Sequence, residues 1–412
     1  MYSVHQPWDP LKVCVVGKSY APEFYSFIKN SRLRNLFEKI AVETEEDFQN
    51  LITTLEKFNV KVVRPNVPAV QLDRLLSQNR RIPGPISMIP RDQMAMIGSR
   101  FFVFPYDRIT LKAAGRNLQV TNWTEKNYNL LKSPEWPKEF TPYEQLPEWA
   151  KKECETLLNF KFIRGDNIND IAQKTSEFEW WTPITNLVIS AGNQIIENQY
   201  HDSLNLIPAN GVTRIGKDLF FGFGMTEEPG DISKIKQLTD HFFPEYRNHI
   251  VTTGGHIDGC FCPVKPGLIV SIMDMPTYSK TFPGWEVVYL QGESWGKVKP
   301  FLDLKKENQG RWWIKGSEYD AELIDYVETW LQDWVGYVEE SVFDVNILTI
   351  DQQNVVVNGY NKKAFDAFER HGITPHICPI RHRYFWDGGI HCVTLDLDRE
   401  GVQQDWFPER VL

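Results

Sequence analysis

GVTRIGKDLFFG, residues 211–222, reads as a strand, a tight turn and a second strand. Runs rich in β-branched and aromatic residues flank Gly216 and Lys217, and a short Gly-containing turn between such runs is a hairpin signal. Further on, ISKIKQLTDHF at 232–242 spaces its apolar residues as one face of a helix. The same hairpin recurs in HIDGCFCPVKPGLIVS at 256–271 around KPG, and in NILTIDQQNVVVNG at 346–359 around DQQN. KKAFDAFERHG at 362–372 follows the last of these as a helix, and AELIDYVETWLQDWV at 321–335 is another. Toward the N-terminus lie further short apolar runs: LKVCVVG at 11–17, VKVVRP at 60–65, SMIPRD at 87–92 and FFVF at 101–104. EEDFQNLITTLEKFN at 45–59 places Phe48, Leu51, Ile52 and Leu55 on one helical face. Near the C-terminus IHCVTLDL at 390–397 is again strand-like.

A hairpin-plus-helix unit recurring roughly every 60 to 100 residues predicts a pseudo-symmetric α/β assembly. It argues against a doubly wound sheet with one nucleotide crevice, and no G-x-G-x-x-G or G-x-x-x-x-G-K-[ST] loop is present. Residues 105–200 break the pattern with polar and aromatic sequence and with Pro134, Pro137, Pro142, Pro147 and Pro183. They are expected to be an insertion or elaborated connection within one catalytic domain spanning 1–412.

Composition narrows the function classes. With 412 residues and 42% hydrophobic content, the chain is neither a disulfide-stapled miniprotein nor a disordered polymer. A formal net charge of -9 speaks against nucleic acid as the main partner, which requires a basic face. No run approaches the roughly 18 apolar residues of a membrane span. The first residues, MYSVHQPWDP, lack a charged segment followed by an apolar one, so a cytoplasmic protein is expected. The six cysteines are then expected to be reduced, and Cys260 and Cys262 lack C-x-x-C spacing.

Two segments carry chemistry. TTGGHIDGCFC at 252–262 is expected to be extended, with His256, Asp258, Cys260 and Cys262 on one face. At about 3.3 Å per residue, positions 256 and 262 lie roughly 20 Å apart, too far to ligate one ion, so no metal is expected. His256 and Asp258 are near enough to converge on a small ligand, although a histidine at a strand edge also serves structure alone. The second segment is FWDGGIHCVTLDLDREG at 385–401, where Gly388 and Gly389 free the backbone for a tight approach just ahead of Cys392.

Together these segments resemble the amidinotransferases, in particular glycine amidinotransferase and the inosamine amidinotransferases. The family's nucleophile segment GG-x-HC-x-T-x-D…R-x-G is matched by Gly388, Gly389, His391, Cys392, Thr394, Asp396, Arg399 and Gly401. Its H-x-D motif, followed by a strand with PG, is matched by His256, Asp258, Pro266 and Gly267; its PRD turn by Pro90, Arg91 and Asp92. Its R-x-G-[RK]-D-x-[FL] motif is matched by Arg214, Gly216, Lys217, Asp218 and Phe220. The resemblance implies a pentein-type α/β propeller of five ββαβ-like units, with the active site on the pseudo-fivefold axis. It implies an amidino group moved from arginine, or another guanidino donor, to an amine such as glycine. The reaction would run without a cofactor, through Cys392 as nucleophile and His256 as acid and base, with Asp92 and Asp258 clamping the guanidinium. The expected partners are small substrates, with neither nucleic acid nor membrane, and a homodimer stays open.

The chain departs from that pattern in three places. A carboxylate that orients the histidine is replaced by Pro208, and an arginine that grips the substrate carboxylate by Met275. Serines near the following strand align with Glu339 and Glu340. These changes predict a weaker hold on an α-carboxylate, with Arg381 or Arg383 as the cations that a loop shift would bring in instead. They leave two other readings open: an arginine deiminase-type hydrolase of the same fold, and a guanidino-compound binding protein without catalysis.

Overall fold

The computed structural model describes residues 1–67, 86–103, 178–197, 209–223, 229–253, 256–272, 278–307, 319–330 and 342–410, with a few isolated positions besides. Fifteen strands among them form five sheets of three. The sheets are β3 (Met94–Ile97), β4 (Arg100–Val103) and β5 (Gln194–Glu197); β6 (Val212–Ile215), β7 (Asp218–Phe223) and β8 (Arg247–Thr252); β9 (Phe261–Lys265), β10 (Leu268–Ser271) and β11 (Glu286–Tyr289); β12 (Leu348–Asp351), β13 (Asn354–Val357) and β14 (Thr374–Ile377). The fifth joins the two ends of the chain, β15 (Thr394–Arg399), β1 (Leu11–Val16) and β2 (Lys61–Val63).

Every sheet has the same wiring. Its first two strands pair antiparallel and its third returns parallel to the second. A parallel return needs a crossover, and a helix is the usual one because it covers a sheet face while satisfying its own backbone. Helix α1 (Ser31–Glu56) links β1 to β2, α2 (Phe178–Ser190) lies between β4 and β5, α3 (Pro229–Phe242) between β7 and β8, and α4 (Lys362–Arg370) between β13 and β14. A single turn at Tyr278–Thr281 stands in the β10–β11 crossover. The architecture is the five-unit pseudo-symmetric propeller.

Local sequence explains these elements. Asn30 caps α1 by accepting from the amides of Arg32 and Leu33, and Asn361 caps α4 by accepting from Ala364. Leu33, Phe37, Ile40, Phe48, Leu51 and Leu55 line the buried stripe of α1, at roughly 1.5–3 kcal/mol for each large side chain. The predicted hairpin turns contain Gly216 at φ 61° and Gly267 at φ 87°, where a side chain would be strained.

Two expectations are corrected. Residues 256–262 are not one extended run: Ile257–Cys260 is a helical turn with His256 at its N-cap, and β9 starts only at Phe261. Gly259 does not prevent this, because a single turn closed by its own amide to the His256 carbonyl (3.0 Å) carries little propensity cost. The expected PRD turn is present: SMIPRD folds into two 3-10 turns, Ile86–Met88 and Pro90–Asp92, and Pro90 has no amide for a sheet ladder. Residues 390–393 are loop, and the last strand begins at Thr394. Of the segment 105–200, α2 and β5 complete the β3–β4 sheet, while 105–147 and 149–177 lie outside the described residues.

The units meet on a buried carboxylate. Asp396 on β15 bonds Arg91 at 3.0 Å, Arg214 of β6 at 2.9 Å and Arg399 at 2.7 Å, and is itself 1% exposed. The three guanidinium groups also donate to carbonyls of His391 and Thr394, of Met96, and of Asp9 and Thr349. Burial works against ionisation of Asp396, yet the three arginines hold its carboxyl well below the usual range. Asp396→Asn leaves three buried cations short of their counter-charge. An unfolding free energy lower by about 3–5 kcal/mol is expected from denaturant titration.

Candidate active site

Cys392 sits in the loop that enters β15 and is 1% exposed. Its Sγ receives a hydrogen bond from Asn346 Nδ2 at 3.1 Å and lies 3.7 Å from Asp258 Oδ2. Oδ1 of the same Asn346 accepts from the amides of His391 (2.7 Å) and Cys392 (3.3 Å), so one side chain fixes both the loop and its thiol. Gly389 makes this approach feasible. A Cβ there would stand 2.6 Å from Asn346 Oδ1 and 2.7 Å from Phe343. At Gly388 the nearest atom to such a Cβ is Ile89 at 3.4 Å, an ordinary contact.

Asp258 is buried on the helical turn after His256. Its Oδ2 accepts from His391 Nδ1 at 2.7 Å, and its carbonyl receives Asn346 Nδ2 at 3.3 Å. Burial works to raise the Asp258 carboxyl, but the bond from His391 and the charges of His391, His256 and Arg91 outweigh it and hold it low. For His391 burial comes first and the Arg91 charge second, both favouring the neutral ring over the pull of Asp258. Asp258 is thus held low and the His391 ring is biased toward its neutral form, the two sharing one hydrogen bond.

Asp92 closes the 3-10 turn ahead of β3 and is equally buried. Burial is the main reason its carboxyl is pushed up to about 7; Asp258 and Asp387 push the same way, while His256 and the Asn210 amide oppose them. Neither Asp92 Oδ1 nor Asp258 Oδ1 has a hydrogen-bond partner among the described residues. His256 is half-buried, and when protonated its charge reaches both carboxylates. The structure thus gathers Asp92, His256, Asp258 and Cys392 at one centre, and adds Asn346, Asn210 and His391. Asn346 and Asn210 had no signal in the sequence beyond a polar residue just ahead of an apolar run.

The other cysteines are set apart. Burial pushes the thiols of Cys14 and Cys262 up to about 12 and raises that of Cys378. Cys154 lies outside the described residues, as do Pro208, Met275, Glu339 and Glu340. Among the described residues no group of three or more His, Cys, Asp or Glu is arranged to hold a metal ion. No helix there is long and apolar enough to cross a membrane.

Five three-stranded sheets of one wiring, with a buried thiol beside a buried carboxylate, define the pentein class. Within that class the chain is similar to the amidinotransferases. Over 198 residues it is 25% identical to the mitochondrial glycine amidinotransferase of Xenopus tropicalis, a match covering 47% of this chain and 39% of the relative. It is 23% identical over 226 residues to the L-arginine:L-lysine amidinotransferase of Pseudomonas savastanoi pv. phaseolicola, covering 52% of each. The matches thus span about two fifths to half the length of these curated relatives. Its fold is that of the SxtG amidinotransferase from Microseira wollei, at a TM-score of 0.56 and 17% identity over 98% of this chain and 99% of that one. The inosamine-phosphate amidinotransferase of Streptomyces griseus shares it too, at 0.54 and 16% over 98% and 99%. No family profile matches the chain.

The Asp92 carboxyl has a consequence measurable in solution. With its value near 7, Asp92 is largely protonated at pH 6, and a bound cation drives it to ionise. Guanidinium compounds titrated into the Cys392→Ala protein at pH 6 are expected to release close to one proton per ligand, read calorimetrically in buffers of different ionisation enthalpy. Release should vanish at about pH 8.5 and in Asp92→Asn, and affinity should fall as the pH drops through 7.

Proposed function

We propose that the protein transfers an amidino group from arginine, or another guanidino donor, to an amine through an amidino-Cys392 intermediate. The observation that carries this reading is a buried thiol 3.7 Å from the buried carboxylate of Asp258, whose charge also reaches the buried Asp92, each carboxylate keeping an oxygen that no donor among the described residues occupies. A guanidinium is planar and permanently charged, and two carboxylates both hold it and align its central carbon. That carbon is a poor electrophile, so the attacking group must be soft and strong, as a thiolate is.

The steps then balance. The Cys392 proton passes to His256, the sulfur bonds the central carbon, and the C–N bond to the donor's amine breaks as His256 returns the proton to that nitrogen. An acceptor amine enters, loses a proton to His256, bonds the carbon and expels the thiolate. Asn346 Nδ2, donating to Sγ, stabilises sulfur in its anionic form, and Asp258 keeps one oxygen for the substrate while His391 holds the other. The names of the curated relatives support arginine as donor and an amino acid, glycine or lysine, as acceptor.

Product analysis with arginine plus glycine or lysine tests the proposal. Ornithine with a new guanidino compound supports it; citrulline would replace transfer by hydrolysis, and no product at all would leave a binding protein. Intact-mass spectrometry should find the amidino adduct on Cys392 and none in Cys392→Ala; an adduct on Cys260 or Cys262 would overturn the assignment. Asp92→Asn and Asp258→Asn each remove one member of a charge-assisted pair, about 1.5–3 kcal/mol, so donor affinity should fall tenfold or more in both.

A further inference from the structure

Asn210 stands two positions ahead of Val212 in β6, as Asp92 stands ahead of Met94 in β3, Asn346 ahead of Leu348 in β12 and Cys392 ahead of Thr394 in β15. The equivalent asparagine, Asn346, engages both ends of its amide. Its Nδ2 donates to Cys392 Sγ and to the Asp258 carbonyl, and its Oδ1 accepts from the amides of His391 and Cys392. Asn210 is just as buried, at 2% exposed, yet neither its Nδ2 nor its Oδ1 has a hydrogen-bond partner among the described residues. No other amide side chain among them has both ends buried and unpartnered. A buried donor and acceptor left unmet are costly, and such a pair points to a bound molecule that completes it.

The 3-10 turn that carries Asn210, Ala209–Gly211, packs against the Pro90–Asp92 turn and against the helical turn Ile257–Cys260. It is therefore flanked by the two turns that present the carboxylates of Asp92 and Asp258. The Asn210 amide lies close enough to Asp92 to favour the ionised carboxyl there. Asp92 and Asp258 each keep an oxygen without a donor among the described residues. The unmet groups at the centre are thus two carboxylate oxygens and one amide, which accepts through Oδ1 and donates through Nδ2.

We infer that Asn210 is a further donor-binding residue: its Oδ1 accepts a terminal N–H of the guanidinium held by Asp92 and Asp258, so that the site takes a guanidinium over an amidinium lacking that nitrogen. The inference rests on the amidino-transfer reading and deepens it. A singly substituted guanidinium carries N–H donors around its whole plane. Asp92 and Asp258 offer it carboxylate oxygens, but Asp258 Oδ2 is already taken by His391. A third acceptor meets a donor that would otherwise be buried unpaired, and Nδ2 remains for Asp92.

Arginine and Nδ-acetimidoylornithine test this, since both are planar cations on the same chain and the second has a methyl where arginine has a terminal NH2. The methyl is placed where it costs least, against the neutral acceptor. Binding is measured calorimetrically on the Cys392→Ala protein at about pH 8.5, where Asp92 is mostly ionised. Arginine should bind about tenfold tighter or more. Asn210→Leu, which keeps the branched shape without polar atoms, should weaken arginine by about tenfold or more and bring the two ligands to within about threefold. Asn210→Ala makes the same comparison where leucine does not fit. With no hydrogen bond to lose, the ligand-free Asn210→Leu protein should melt no lower than its parent. A lower melting temperature with the ligand ratio kept assigns Asn210 to structure and overturns its binding role. A ratio near one in the parent, or one unchanged in both variants, overturns that role too and leaves amidino transfer standing. Failure of arginine to bind the parent and to modify wild-type Cys392 overturns the role of Asn210 together with amidino transfer from arginine.

Discussion

One carboxylate answering three guanidinium groups organises the centre of this molecule. Asp396 is buried, and so are Arg91, Arg214 and Arg399. Each group is therefore confined to a geometry in which the others satisfy it. Because the arginines come from the turn before β3, from β6 and from β15, their alignment fixes three sheets against one another. Their remaining donors reach carbonyls at Met96, Thr349 and Asp9, which extends the constraint to β12 and to the N-terminal segment. An apolar plug of the same volume need not be less stable. It would not hold the His391 carbonyl, which Arg91 does at 3.0 Å, one residue from the thiol.

The repeat places the chemistry. Asp92 precedes β3, which starts at Met94; Asn210 precedes Val212 of β6; Asn346 precedes Leu348 of β12; Cys392 precedes Thr394 of β15. Asp258 stands just ahead of Phe261 and β9. Each unit thus contributes its polar group from the turn entering its first strand. Five copies of one backbone feature converge, and a site of two aspartates, two asparagines and one cysteine results. Closure of the ring by β15 against β1 matters for the same reason, since it brings the Cys392 loop, near the end of the chain, beside turns that start at Pro90.

Much of this was legible in the sequence, for identifiable reasons. The hairpins announce themselves through Gly216 and Gly267, and the helices through apolar spacing such as that of Phe48, Leu51 and Leu55, because both signals are local. The charged motif residues Arg91, Arg214, Asp396 and Arg399 stand out as letters, but their role as one hub depends on contacts across hundreds of residues. The extended reading of 256–262 failed where propensity is weakest: a single helical turn costs so little that tertiary contacts at Asp258 decide it. Asn346 and Asn210 were invisible because an asparagine before a strand looks the same whether it ends a loop or holds a thiol.

The hub and the clamp also balance each other electrostatically. Burial first and the Arg91 charge second bias His391 toward its neutral form, while the His391 hydrogen bond, with Arg91 adding last, holds Asp258 low. At Asp92 burial, with Asp258 and Asp387 adding to it, outweighs His256 and the Asn210 amide, so it stays near half-protonated at neutral pH. The two carboxylates are chemically alike and differ only in what stands behind them. One is a permanent anion fixed by an imidazole, and the other becomes an anion when a cation arrives. A centre built this way avoids holding two uncompensated buried charges when empty, yet offers both to a cation, whose arrival draws the proton off Asp92.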